Sequence, residues 1–582
     1  MCGIAGCLVA DGAICGEAEI TKLVQDMTST LVHRGPDDNG HWIDRAARVG
    51  LGHRRLSILD LSQAGRQPMT SRSGRFTIVY NGEVYNYRAL RQQLEQQGHT
   101  FRGGSDTEVI LAALEQWPLE EAIQRFVGMF AIAVWDTEQQ RLFLVRDRLG
   151  IKPLYYGWVG NDFVFASELK ALRCHPKWKG AINRNALAQY MQHSSVPAPA
   201  SIYAGIHKLP PATVLTLTLP NDRSTRAEIS RGPAAYWSAA SAFEAGRESV
   251  FRGTEEEAVE QLEVHLREAV ATRMISDVPI GAFLSGGIDS SLIVALMQAQ
   301  SSRQVKTFTI GFQEGFNDEA KYARAVAAHL GTKHTELYVT AEEAMQVIPR
   351  LPDLYDEPFA DSSQIPTFLV SKLARSQVTV ALSGDGGDEL FAGYNRYFQA
   401  PRIWRACRMM PQAVRQRLAK LLVGTPASAY EPFIQRMKPF LPRLVTSRSP
   451  GNSVQKIAQV MSANSFAQIY EQLSSTWQPG ELPVLGGEAD RVSGWDSSWT
   501  NPDAAVRQMM LNDLLVYHPS DILTKVDRAS MGVSLEARVP LIDHRIVEFS
   551  ATLPLKMLIE RGTGKKLLRR LLAKYVPTQL FE

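Results

Sequence analysis

Val278-Pro279-Ile280-Gly281-Ala282-Phe283-Leu284-Ser285-Gly286-Gly287-Ile288-Asp289-Ser290-Ser291 decides how the second half of this chain folds. The apolar run Val278 to Leu284 reads as a strand, and a helix is expected from about Asp289. A Ser/Gly-rich turn at a helix N-terminus offers unpaired N–H groups and the positive end of the helix dipole, which suit an anion. The hydroxyls of Ser285, Ser290 and Ser291 add donors. Asp289 would repel a phosphate, so its place is as a ligand for Mg²⁺ that bridges the phosphates. The loop is not a Walker A motif, which needs Lys-Ser/Thr after its last glycine, and Gly562-Thr563-Gly564-Lys565 fails the same test.

Outward from this loop the pattern repeats. Strands are expected over Val305 to Phe312, His334 to Val339 and Val378 to Leu382, with a helix from Asp318 to Leu330 closed by Gly331. Thr254 and Glu257 form a capping box before a helix reaching about Met274. Strands alternating with helices predict a parallel sheet covered on both faces. Ser383-Gly384-Asp385-Gly386-Gly387-Asp388-Glu389 follows the last of these strands. Ligands of doubly wound sheets bind at the carboxyl ends of strands. Two glycine-rich, carboxylate-bearing loops at two such ends therefore predict one nucleotide–metal site; a solvated acidic turn would explain the acids but not their paired placement. Beyond residue 395 the pattern is mostly helical.

The first 200 residues read mainly as strands. Phe76 to Tyr80 is β-rich and is expected to stop at the turn dipeptide Asn81-Gly82. Phe130 to Trp135 and Arg141 to Val145 flank a polar turn as a hairpin. Helices are expected over about Ile20 to Leu31 and from near Ser105. From about 195 to 253 prolines and polar residues mark a domain junction ending in a linker. At the start stands Met1-Cys2-Gly3-Ile4-Ala5-Gly6. Removal of Met1 would give Cys2 a thiol and a free α-amine on one residue, and that amine can act as base for its own thiol.

Composition narrows the function classes. With 582 residues, two domains are expected. The chain is 45% hydrophobic and carries 63 basic against 60 acidic residues, a near balance that suggests neither nucleic acid nor a membrane surface as partner. There is no apolar run of membrane-spanning length and no signal-peptide pattern. Cys2, Cys7, Cys15, Cys174 and Cys407 are scattered without a CxxC pair, so neither a disulfide framework nor a zinc site is supported, and a reducing cytoplasm fits.

Taken together these motifs resemble the glutamine-hydrolysing asparagine synthetase family over nearly the whole chain. The resemblance implies an αββα N-terminal-nucleophile sandwich over residues 2–215, a class II glutamine amidotransferase domain. A junction over 216–253 and an α/β doubly wound, parallel-sheet synthetase domain with added C-terminal helices over 254–582 would follow. Cys2 would attack the glutamine amide to give a thioester and ammonia. Asn81 and Gly82 would form the oxyanion hole. Arg55 would hold the α-carboxylate of glutamine, with Asp106 and Glu83 at its α-ammonium. His33-Arg34-Gly35-Pro36-Asp37 is similar to a family loop near that site. Taken singly, Asn81-Gly82 reads as a hairpin turn, Ser105-Asp106 as a helix cap and Arg55 as a surface charge.

In the second domain the SGGIDSS loop resembles the pyrophosphate loop of ATP pyrophosphatases, which cleave ATP between the α and β phosphates. ATP would be held by Leu284, Ser285, Gly286, Gly287, Asp289, Ser290, Ile310, Ser383 and Gly384, with Mg²⁺ on Asp289 and Asp388. Asp385 matches the position tied to acyl-adenylate formation, where some members carry Glu. Lys565 matches the lysine that steadies the adenylation transition state, and the adjacent Lys566 leaves that register open. The partners implied are L-glutamine, ATP and a carboxylate acceptor, aspartate by default or a uronic acid of surface polysaccharides; a homodimer is left open. A family tunnel would carry ammonia between sites. Leu535-Glu536-Ala537-Arg538-Val539-Pro540 is family-like and lies near the acceptor site. After Val576-Pro577 the sequence departs from the family's usual Lys-x-Gly-Phe stretch. Two other readings stay open: a retired scaffold or regulator, and a glutaminase whose second domain only binds nucleotide.

Overall fold

The computed structural model describes residues 2–10, 16–219, 227–313, 319–423, 458, 460–478, 481–488 and 502–581. Met1, Cys15, the linker residues 220–226 and the expected helix start Asp318 lie outside the described residues.

Two six-stranded antiparallel sheets build the first half. One has Gly3–Leu8 between Val49–Arg55 and Asp162–Ala166; the other has Phe76–Val84 paired with Gly128–Asp136. Side-chain alternation sorts the residues into layers. From Gly3–Leu8, Ile4 and Leu8 face the second sheet, while Ala5 and Cys7 face the helix Glu17–Ser29. From Gly128–Asp136, Ala131, Ala133 and Trp135 meet the first sheet, while Phe130, Ile132 and Val134 pack with the helix Asp106–Gln116. Helix, sheet, sheet, helix is the αββα sandwich.

The structure corrects two readings. Asn81-Gly82 does not turn: the strand runs on to Val84, with Asn81 opposite Ala131 and Gly82 opposite Phe130. Glycine is still required, because a Cβ at Gly82 would lie 2.0 Å from the Met129 carbonyl oxygen. Local dipeptide preference yields here to ladder pairing over nine residues. The stretch 216–253 is also not all linker. It holds the end of strand Thr213–Thr218, the strand Glu228–Ala235 in the second sheet, and the helix Ala239–Glu248. That helix lies against the C-terminal half, so closely that a Cβ on Gly246 would be 2.4 Å from the Ala551 oxygen.

The second half is a five-stranded sheet whose pairings are all parallel. Its order is Lys333–Val339, Lys306–Phe312, Ile280–Phe283, Val380–Leu382, Glu536–Arg538. The chain steps outward from Ile280–Phe283 on one side, then returns to build Val380–Leu382 on the other. The strand order therefore reverses between these two neighbours, where crevices of doubly wound sheets open. The helix Ile288–Gln300 covers one face, with Glu255–Arg273 and Lys566–Leu572 beside it. Gln364–Arg375 covers the other through Ala374 on Phe308, Ala381 and Leu535. The fifth strand, Glu536–Arg538, comes from the segment read above only as family-like.

Candidate active sites at the nucleophile strand and at the strand-order reversal

Cys2 immediately precedes the first strand of the sandwich, Gly3–Leu8, and is buried. Its backbone nitrogen, which becomes the α-amine if Met1 is removed, donates to Asn81 Oδ1 at 2.9 Å. With Oδ1 so used, the Asn81 amide nitrogen is buried without a partner. A buried donor left unpaired beside a nucleophile is the arrangement an oxyanion would complete. Burial pushes the Cys2 thiol up, and the Leu56 backbone and the Arg55 charge pull it back.

One small cavity is lined by Cys2, Arg55, Gly82, Glu83 and Asp106. Asp106 Oδ2 accepts from the Tyr80 hydroxyl and the Val84 N–H, each at 2.9 Å, and burial lifts its pKa to about 6. The Arg55 guanidinium is held by the carbonyls of Leu59, Asp60 and Ser62. Burial raises Glu83 well above an ordinary carboxyl, with Glu536 adding to the rise and Arg538 opposing it from the second half.

At the strand-order reversal the two glycine loops interlock. A Cβ on Gly384 would come within 2.5 Å of the Ser290 nitrogen, and one on Gly387 within 2.3 Å of the Asp289 carboxylate. Ser285 and Ser290 hydroxyls meet at 2.9 Å, and Gly286 takes a φ of +78° that favours glycine. The hydroxyls of Ser291 and Ser383 are buried without partners. Leu284, buried, directly follows its strand, and Ile310 lies two residues before the end of the neighbouring one.

Of the two adjacent lysines, Lys565 faces the glycine loops. Its ammonium lies 2.7 Å from Asp289 and 2.8 Å from Asp388, while Lys566 turns away to Glu255 and Glu560. Burial lifts Asp289 to about 7, against the pull of Lys565. A side-chain cation already bridges the two carboxylates, and Asp289 Oδ1 has no partner. Two carboxylates, with phosphates and water completing the shell, are a hard-oxygen set of the kind Mg²⁺ takes. Among the described residues no three or more His, Cys, Asp or Glu gather as a metal cage.

Between the sites runs a buried ionic network that sequence reading missed. Arg34 donates through Nε to the Cys2 carbonyl, and through its other nitrogens to Glu168 and to Asp527 of the second half. Arg528 pairs with Glu168 at 3.0 Å, and Lys152 lies 3.5 Å from Asp527. The HRGPD loop was the only local signal, and nothing in it points to Asp527.

These features define a class: an N-terminal-nucleophile amidotransferase joined to a nucleotide-handling parallel-sheet domain. A glutamine amidotransferase domain model matches residues 1–228, and the asparagine synthase model matches residues 261–582. The chain belongs to the asparagine synthase family and is a carbon–nitrogen ligase of its glutamine-hydrolysing kind. It is 34% identical to asparagine synthetase (glutamine-hydrolyzing) 1 of Bacillus subtilis over 581 residues, covering 99% of this chain and 85% of that protein. A putative asparagine synthetase of Mycobacterium bovis is 33% identical, covering 100% and 86%. Amidase chry2 of Gibberella zeae is 27% identical, covering 95% and 83%. Among the described residues no helix is long and apolar enough to cross a membrane.

Proposed function

We propose that the chain hydrolyses glutamine at Cys2 and uses the ammonia to amidate a carboxylate activated by ATP between the two glycine loops. In the first half, the Cys2 thiolate attacks the glutamine amide carbon. The unpartnered Asn81 amide nitrogen and the Gly82 N–H take the oxyanion. Arg55, Glu83 and Asp106, in the same cavity, anchor the amino-acid end of glutamine.

In the second half, Ser285, Gly286, Gly287 and Ser290 cradle the phosphates of ATP at a helix N-terminus. Leu284, Ile310, Ser383 and Gly384 flank the nucleotide. Asp289 and Asp388 would hold Mg²⁺, which supplies charge neutralisation of the pyrophosphate leaving group. The acceptor carboxylate attacks the α-phosphorus near Asp385, and Lys565 steadies the charge that develops. Ammonia then displaces AMP from the acyl-adenylate. A reducing cytoplasm would keep the Cys2 thiol available for this cycle.

The Lys565 bridge between Asp289 and Asp388 carries this reading, because it draws the two loops and the C-terminal lysine into one charged centre. The relatives' names make aspartate the reference acceptor, with asparagine as product. Pyrophosphate and AMP formation from ATP, Mg²⁺, glutamine and an acceptor tests it. ATP cleavage to ADP and phosphate, or none with any carboxylate, would refute it.

A further inference from the structure

Behind Glu83, on the wall of the cavity proposed for glutamine, stands a charge that comes from the second half. Glu536–Arg538 is the edge strand of the parallel sheet, with Arg538 opposite Leu382. Side chains two apart on a strand share a face. Glu536 and Arg538 do so, and Arg538 Nε donates to Glu536 Oε1 at 2.6 Å. Arg538 Nη1 donates to the carbonyls of Arg273 and Ile275, each at 2.7 Å. Two of the three guanidinium nitrogens are thus committed, and the plane of the group is fixed. The third, Nη2, is buried without a hydrogen-bond partner among the described residues and lies 3.4 Å from Glu83 Oε1.

The surroundings need that charge. Glu83, Asp106 and Glu536 are three buried carboxylates in one region. Glu536 pushes both Glu83 and Asp106 toward their neutral forms, and Arg538 opposes it at both. Charge-assisted binding of an ammonium requires an ionised acceptor. Asp106 already spends Oδ2 on the Tyr80 hydroxyl and the Val84 N–H. Glu83 lines the cavity with the guanidinium at its back. A purely structural Arg538 would account for Nε and Nη1, which tie strand to helix end, but not for an unpartnered Nη2 directed at Glu83.

We propose that Arg538 is a positioning residue of the glutaminase: from the synthetase strand it holds Glu83 toward the α-ammonium of glutamine, so recognition of that ammonium depends on the second half. This rests on the role given to Glu83 above. The strand itself does not hang on the side chain. The Arg538 carbonyl accepts from the Ser383 N–H at 2.9 Å, a backbone bond that a substitution leaves in place.

The test compares glutamine with glutaramate, the same amide without the α-ammonium, as glutaminase substrates of the purified 582-residue chain. The native chain should prefer glutamine in kcat/KM by at least about a hundredfold. Arg538→Gln should cut that preference by about tenfold, through the KM for glutamine, with kcat changed by less than about threefold. Arg538→Lys keeps a cation but not the fork that reaches Glu83, Glu536 and two carbonyls together. It carries the test alone if loss of the charge unfolds the chain, with a fall of at least about threefold expected. General loosening of the site would slow both substrates and leave the preference where it was. An unchanged preference in the folded variants overturns the role of Arg538 and leaves Glu83 at the ammonium. No preference in the native chain overturns the placing of Glu83 and Asp106, and this inference with it.

Discussion

Arg34 and Asp527, 493 residues apart in sequence, meet in a two-pronged ion pair at 2.8 and 3.0 Å. Both are buried, and the same guanidinium holds the carbonyl of Cys2. The nucleophile strand and the helix Leu523–Met531 of the synthetase half are thereby tied through one side chain. Removing one member of a buried pair leaves the other charge uncompensated, at about 3–5 kcal/mol. Asp527→Asn is expected to lower unfolding free energy by roughly that amount and to slow glutamine hydrolysis. Denaturant unfolding and glutaminase rates would check both; an unchanged stability would deny the pair its structural weight.

The same network sets an acid limit. Burial pushes Asp527 and Glu168 up, yet Arg34 with Lys152, and Arg528 with His33, hold them below ordinary carboxylates. Groups depressed in the folded state stabilise it fully above the unfolded pKa of about 4, and that contribution fades as pH falls through their folded values. Thermal unfolding should therefore drop steeply below about pH 4 in the native chain and less steeply in Asp527→Asn.

Asn81→Ala removes both the proposed oxyanion donor and the acceptor for the Cys2 nitrogen. Glutaminase kcat should fall by about 10²–10³ while ammonia-dependent synthesis persists. Cys2→Ala should abolish glutamine use and likewise spare synthesis from added ammonia. Loss of both activities in either variant would speak against two separable sites.

Lys565→Ala should stop ATP cleavage, whereas Lys566→Ala, which loses contacts to Glu255 and Glu560, should retain it within a few-fold. Asp289→Ala should spare glutamine hydrolysis and stop ATP cleavage. Rates of pyrophosphate release in the three variants decide the register, and equal losses in both lysine variants would contradict the assignment.

What could be read before the fold was known follows from what is local. The strand–SGGIDSS–helix unit, the Thr254–Glu257 capping box and the Ser105 cap are set by neighbours in sequence, and each formed as expected. Asn81-Gly82 misled because a turn-forming pair was overruled by its partner strand. Glu228–Ala235 was missed because its burial is slight, so no hydrophobic alternation announces it. The choice between Lys565 and Lys566 depends on which faces Asp289, and the Arg34–Asp527 pair on a contact across the whole chain. Neither leaves a periodic or spacing signal.

The central claim is that glutamine nitrogen reaches an ATP-activated carboxylate within one chain. The most direct measurement follows amide-labelled glutamine through a complete reaction, counting glutamate, pyrophosphate and labelled amide product together. Equal amounts of all three are predicted when glutamine is the sole nitrogen source. Glutamate formed without pyrophosphate, or an amide product without the glutamine label under those conditions, would contradict it.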